Sequence, residues 1–418
     1  MRSRLRKLKS KVSNNTKVVE NYFFMTALQF INSLFGLLIY PYLIRVLGAG
    51  SYGLYVFALS VTSYFIGFIS FGFSYPAVKA MVEHKDNPEM KNSIVSGVFT
   101  AKLLLALASI PVFIILMLTI PVMKLHPAIF AICFAQILNE ILFPLWYFQG
   151  VQKMRIVTFI QLGLRILSLP FIFLMIKSPT DNTLYALIAT LSIVMGGILS
   201  TFYLIINEKI KISLLPFKSL KVLFNDSMPF FWSNSTGTIK QESVTIIIGA
   251  FFGMRDVAFY DLANKLIILP RMLTMSINSA LFPKVIENVK KEVVRKIIRY
   301  ETLIGLAIIA VVALTGYWLV WLLGGINMLQ AYPLAIILSV TVLVWLVVGC
   351  YISFIFVPQN KYYFVTRNQF VAFISFFLFC IPGVLIFHSI VAVVVALTLS
   401  GLSEIAYCNY LIKKHQLL

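Results

Sequence analysis

The chain has 418 residues, 60% of them hydrophobic and 12% charged, with a formal net charge of +20. Water-soluble domains of this length are about 45–50% apolar and about a quarter charged, so the composition excludes an ordinary soluble domain and points to an all-α integral membrane protein. The basic residues fall in short runs beside apolar stretches, with no zinc-finger or helix-turn-helix spacing, which excludes nucleic acid as the partner.

The first 20 residues form a basic N-terminus, from Arg2 to Lys17. The apolar stretch after it is too long for a signal peptide, so an uncleaved first span is expected. About twelve stretches are long and apolar enough to cross a bilayer. They cover 21–46, 52–75, 92–118, 125–149, 156–176 and 183–206 in the first half. In the second half they cover 227–252, 256–281, 301–324, 331–356, 363–386 and 388–411. The segment 208–222 mixes Lys with Leu, Ile and Phe at helical spacing, which predicts a helix lying along the membrane surface. It divides the chain into a basic N-terminus (1–20), an N-lobe (21–206), a linker (207–226) and a C-lobe (227–418).

Charge sets the topology. With both termini in the cytoplasm, 26 of the 35 Lys and Arg fall in inward loops and only Arg45, Lys124, Lys177 and Arg255 in outward ones. The halves also echo each other: Gly48, Tyr55 and Ala58 recur as Gly253, Tyr260 and Ala263 at an offset of 205. Tyr75-Pro76 and Phe282-Pro283 end the second span of each half. Six spans per half give both halves one orientation. The expected fold is therefore two six-helix lobes related by a parallel pseudo-repeat around a central polar cavity.

Charges inside the spans mark the candidate site, because each costs a few kcal/mol in a bilayer unless it faces a cavity or a partner. Lys102, Arg165, Lys240, Lys265 and Arg271 are the candidate cavity cations for an anionic substrate head such as a diphosphate. Glu140, Glu242 and Asp261 are candidate counter-ions or ion-coupling groups, and Glu404 reads either as a fourth lumen acid or as a packing or lipid-interface residue. Asp261 and Lys265 share a helix face at 100° per residue. Glu242 and Lys265 lie at similar depths, roughly 15 Å and 13 Å from the turn, so an ion pair across the hairpin is expected.

Enzymatic patterns are absent. The four histidines have no HExxH spacing, and there is no P-loop. Cys133, Cys350, Cys380 and Cys408 lie in apolar runs without a CxxC pair, so neither disulfide nor metal site is expected, and no cofactor.

Three stretches carry a resemblance. They are YPYLIRVLGAGSYGLYVFALSVTSYFIGFISFGFSYPAVKAM (Tyr40–Met81), LWYFQGVQKMRIVTFIQLGLRI (Leu145–Ile166), and a hairpin with Pro229, Phe231, Ser233, Ile248-Gly249, Gly253, Tyr260, Ala263 and Lys265. Together they resemble the Wzx-type oligosaccharide flippases, in the superfamily that also holds the multidrug and toxin extrusion transporters and the lipid II flippase. The resemblance implies the same two-lobed fold. It also implies transfer of undecaprenyl-diphosphate-linked glycan units from the cytoplasmic to the outer leaflet of the bacterial plasma (inner) membrane. Polysaccharide polymerase and chain-length machinery would be partners, besides membrane lipids. Family members often carry an acid before Gly-Phe in the second span, where this chain has Ser70-Phe71-Gly72-Phe73. Ion coupling would then fall to Glu242, Asp261 or Glu140. Two alternatives stay open at this point: a drug or lipid II exporter of the same fold, and a membrane-embedded glycan polymerase or ligase.

Overall fold

A lipid-facing backbone must satisfy its own hydrogen bonds, and long apolar runs do so as helices. The computed structural model describes the backbone of residues 2–84, 86–287 and 291–417, and the side chains of 20–417 apart from 22, 85, 269 and 273–290. The basic side chains of the N-terminus, Lys85, Phe282-Pro283, Lys284 and Lys290 lie outside the described residues. Among the described residues there are helices and no strands.

In the first half the helices are α1 (Arg2–Ser70), α2 (Ser74–Glu83), α3 (Pro88–Thr119), α4 (Pro121–Leu125), α5 (Pro127–Phe134), α6 (Ile137–Leu142), α7 (Leu145–Gly150), α8 (Met154–Met175) and α9 (Asn182–Ile206). In the second half they are α10 (Phe217–Phe251), α11 (Met254–Glu287), α12 (Lys291–Gly324), α13 (Ala331–Tyr351), α14 (Tyr362–Phe387) and α15 (Ile390–Lys414). Nine helical stretches among the described residues are long and apolar enough to cross a membrane. One of these, Phe23–Ser70, covers two of the expected spans. The expected spans 227–252 and 256–281 are helical as α10 and α11 but are not among the nine.

Three local features depart from simple rods. The expected span 125–149 begins at the last residue of α4 and is then three short helices, α5 to α7, with breaks at His126, Ala135–Gln136 and Phe143–Pro144. Pro127 and Pro144 lack the amide proton a continuous helix needs. Helix α1 bends at Gly48 (φ 74°, ψ 164°), and Gly253 (φ 106°) makes the turn before α11. Both echoed trios thus begin on a left-handed glycine that an L side chain would strain. The linker is not helical over 209–216. Its Lys211, Ser213 and Leu215 amides instead donate to Asn92 Oδ1, Ser96 Oγ and Thr100 Oγ1, at 3.0, 3.0 and 3.2 Å. Those three acceptors recur every fourth residue on one face of α3, so they hold the chain extended where its own helix bonds would have formed.

The fold divides into two compact units: Met1–Gly36 with Val61–Ser235, and Leu37–Ser60 with Thr236–Leu418. In the first unit, the start of α10 packs with the end of α1. Phe71 and Phe231 stack at 4.4 Å, and Phe224 meets Phe71 and Phe73 edge-on at 5.1 and 5.3 Å. In the second unit, the α1 bend packs with α10 and α11. A Cβ on Gly53 would lie 1.7 Å from the Met254 carbonyl oxygen, and one on Gly249 would lie 2.3 Å from the Phe57 ring. Arg45 closes this packing with an Nη2 hydrogen bond to the Leu322 carbonyl, 2.9 Å.

Candidate functional site

Within the first unit, the break between α5 and α7 turns polar groups inward. Lys102 of α3 is 3% exposed, and its ammonium donates to Glu140 Oε1 at 2.6 Å and to the Glu140 carbonyl at 2.8 Å. A backbone carbonyl freed near the end of short α6 thus becomes a second acceptor for a buried cation. Gln136 Nε2 donates to Thr190 Oγ1 at 3.0 Å, and Thr201 donates to the Leu142 carbonyl. Arg165 of α8 lies over the Phe35 ring at 5.0 Å, a cation–π contact. Lys102 is thus buried and paired with Glu140.

Within the second unit, two polar groupings form. The first lies at the α1 bend. Asp261 and Lys265, one turn apart on α11, form an ion pair. Tyr52 donates to Asp261 Oδ2 at 2.9 Å and accepts from Lys265 Nζ at 3.0 Å. The Lys265 ammonium also lies 5.3 Å above the Tyr40 ring and 5.6 Å above Tyr52. Glu242 instead takes a hydrogen bond from Ser60. The expected Glu242–Lys265 pair does not form, because Asp261 reaches Lys265 along its own helix and Tyr52 fills the space across the turn. Replacing Tyr52 with Phe leaves both charged partners short of one hydrogen bond, which costs about 1–3 kcal/mol. A lowered melting temperature of the purified protein is expected, and an unchanged one would show that the hydroxyl contributes nothing to the packing.

The second grouping is a cavity of ≈ 450 Å³ lined by this unit alone. Lys240, Gln241, Tyr260, Asn264, Arg271 and Glu404 supply its polar wall, and Trp345 its aromatic one. Lys240 of α10 donates to Glu404 Oε1 of α15 at 3.0 Å. Asn368 of α14, fully buried, donates through Nδ2 to the other carboxylate oxygen at 3.4 Å. Arg271 of α11 stacks on Trp345 of α13, with Cζ 3.2 Å from the ring centroid. Stacking fixes the plane of the guanidinium at the cavity wall. The cavity floor at Ile352 and Ser353 belongs to a π-helical turn, Ile352–Phe356, that follows α13.

Sequence reasoning named Glu404 but passed over two other groups. Glu404 lines the cavity. Trp345 sits in a span with no charge to mark it. Glu301 begins an expected span and is 1% exposed, with the Cys350 thiol donating to its Oε2 at 2.7 Å. All four cysteines are buried thiols outside any disulfide, and no three metal-binding side chains cluster among the described residues.

Comparison with known proteins agrees with this architecture. Two curated relatives carry the name "Putative O-antigen transporter". The one from Escherichia coli (strain K12) is 23% identical over 273 residues, 65% of this chain and 66% of its own length. The one from Shigella dysenteriae is 23% identical over 254 residues, 60% of this chain and 63% of its own length. Each match therefore spans less than two thirds of the relative. Among solved structures, an inward-facing multidrug resistance transporter of the MATE family superposes with a TM-score of 0.69 at 14% identity, over 91% of this chain and 95% of that one. Lipid II flippase MurJ in an inward closed conformation superposes with a TM-score of 0.64 at 16% identity, over 94% and 87%. These likenesses show the fold, an all-α multi-pass membrane architecture. The family described as "Polysaccharide biosynthesis protein" matches residues 18–289, well over half of the chain, and the protein belongs to that family.

Proposed function

We propose that the protein is a flippase that carries an undecaprenyl-diphosphate-linked oligosaccharide from the cytoplasmic to the outer leaflet of the bacterial inner membrane, by alternating access, with both termini cytoplasmic. The observation that carries this reading is the second-unit cavity. Lys240 and Arg271 line it beside the carboxamides of Gln241 and Asn264 and the Trp345 ring. Two cations suit a diphosphate, while carboxamides and an aromatic face suit sugar hydroxyls and ring faces. Against these stands one acid in the wall, Glu404, a balance that suits a cationic drug poorly. The names of the relatives and the family support the same substrate class. Lys102 and Lys265 then serve the fold through Glu140 and Asp261, and the diphosphate rests on Lys240 and Arg271. Polymerase and chain-length proteins would receive the unit afterwards.

A charge-assisted hydrogen bond contributes about 1.5–3 kcal/mol, so losing one should cost about tenfold or more in binding. In a deletion strain complemented with Lys240→Met or Arg271→Met, surface polysaccharide is expected to fall about tenfold at unchanged protein level, with lipid-linked units gathering on the cytoplasmic leaflet. Full surface polysaccharide from both variants would overturn the assignment of the cavity. Units gathering on the outer leaflet would point to a polymerase or ligase instead.

A further inference from the structure

The linker between α9 and α10 is extended where its sequence predicts a surface helix, and the extended form gives it two sides. Helix α9 ends at Ile206, and Lys209 takes a left-handed backbone (φ 55°), which lets the Ile210 amide donate back to the Leu204 carbonyl at 3.2 Å. A residue with a Cβ seldom adopts that conformation, and here it turns the chain onto α3. Ile210 is buried in the core of the first unit, and Ile212 and Leu215 pack against that core. Lys209, Lys211 and Leu214 are exposed. The hydrogen bonds to Asn92, Ser96 and Thr100 hold this register.

The start of α10 continues the division. Leu220 is buried in the same core, with Leu223 and Phe224 packed against it. Phe217, Lys218, Lys221, Val222 and Asn225 are exposed and cover an arc of about 140° at 100° per residue, facing away from the packed side chains. A Cβ on Gly97 would touch Leu215 and Leu223, at 3.8 and 3.9 Å, so strap and helix meet over one stretch of α3. Leu214, Phe217 and Val222 are 69%, 70% and 68% exposed. Among the described residues none of the four lysines forms an ion pair. Glu208, the acid at the head of the strap, is already held by Lys153 at 2.5 Å and by the Tyr147 hydroxyl at 3.3 Å.

The position of this face follows from α3. Its 32 residues make a rod of about 48 Å, against a hydrocarbon core of about 30 Å. The first two turns carry Glu89, Lys91, Asn92 and Ser93, while the last two are apolar, so the excess length stands outside the core at the strap's end. The strap therefore crosses α3 where that helix enters the bilayer. Apolar side chains at this level reach acyl chains, and lysines beside them reach lipid phosphates.

We infer that this face binds anionic phospholipid. Lys209, Lys211, Lys218 and Lys221 hold headgroup phosphates, while Leu214, Phe217 and Val222 enter the upper acyl layer. A soluble acidic partner would match the lysines but would leave the three apolar side chains in water until it bound, whereas the adjoining bilayer covers them at once. The bound lipid ties the linker of the first unit to the membrane plane, whatever cargo the second-unit cavity carries.

The test uses the full chain in nanodiscs of phosphatidylcholine and phosphatidylglycerol in equal parts. A nitroxide on Leu214→Cys is expected to relax faster with molecular oxygen, which partitions into lipid, than with a water-soluble nickel chelate. The reverse order would place the face in water, leave it to a soluble partner and overturn the inference. In native mass spectrometry of the released protein, wild type should retain more phosphatidylglycerol than a variant with Lys209→Gln, Lys211→Gln, Lys218→Gln and Lys221→Gln. Each lysine removed should weaken that retention about fivefold. Equal retention by the two proteins would overturn the inference. Excess inorganic phosphate at fixed ionic strength should leave wild-type retention unchanged; displacement by it would show a site for free anions and also overturn the lipid assignment. Should the four-lysine variant misassemble, Lys218→Gln with Lys221→Gln is expected to keep the wild-type melting temperature and lose part of the retention. Full retention by that pair would refute the proposal.

Discussion

Replacing Lys102 with methionine is expected to lower the melting temperature of the purified protein by roughly 10 °C. Removing one member of a buried ion pair costs about 3–5 kcal/mol, since the partner is left charged and unmatched. Each kcal/mol corresponds to about 2–4 °C in a unit of 150–250 residues. The pair here is tight, with side-chain exposures of 4% for Lys102 and 23% for Glu140. The ammonium also takes the Glu140 carbonyl, so the change strips a backbone acceptor as well. Glu140→Gln should cost less, because a neutral amide can still accept from Lys102. The double variant Lys102→Met with Glu140→Leu should recover most of the loss. A wild-type melting temperature for Lys102→Met, combined with lost surface polysaccharide, would return Lys102 to the substrate-binding set.

Gly53→Val should be the most damaging single change at the α1 bend. A Cβ there would stand 1.7 Å from the Met254 carbonyl oxygen and 2.7 Å from its carbonyl carbon. The obstacle is backbone, so no rotamer change relieves it. Overpacking costs about 1–3 kcal/mol where side chains can shift, and this site lies at or beyond the upper end. The expected result is little folded protein in the membrane fraction, with Gly53→Ala intermediate. By contrast, Gly50 has no neighbour within 4 Å of an added Cβ, and Gly50→Ala should behave like wild type. Equal yields of the Gly53 and Gly50 variants would show that the two hairpins are free to separate at this point.

Much of the fold is legible in the sequence because a bilayer imposes it. Twenty apolar residues must become a helix, and charge asymmetry must follow. The positive-φ glycines at Gly48 and Gly253 were visible as the start of an echoed trio. The Asp261–Lys265 pair follows from spacing alone. Its third member, Tyr52, lies 209 residues away from Asp261, and no local periodicity reports such a neighbour. The same limit hid Asn368 and Trp345, which are neutral in spans read only for charge. Glu404 carried a visible charge, but its face could not be assigned without knowing which helices flank α15. The broken stretch at 126–144 was marked by Pro127 and Pro144, yet hydropathy averages across such breaks. The linker is non-helical over 209–216 for a reason outside itself, namely the Asn92, Ser96 and Thr100 acceptors on α3.

The exchange of hairpin tips has a consequence for how the protein is made. Residues 37–60 belong with 236–418, and 217–235 belong with the first unit. A ribosome adds about 5–20 residues per second. Tyr52 is therefore synthesised roughly 10–40 s before Asp261 and Lys265 exist to receive it. During that interval the first hairpin sits in the membrane with Tyr40, Tyr52 and the face around Gly53 uncovered, a ready target for a membrane chaperone or for the wrong helix. Asp261 and Lys265, by contrast, emerge within one turn of each other and can enter the bilayer already neutralised. A chain stopped before α11 would hold the first helix pair without the Asp261 and Lys265 partners of Tyr52.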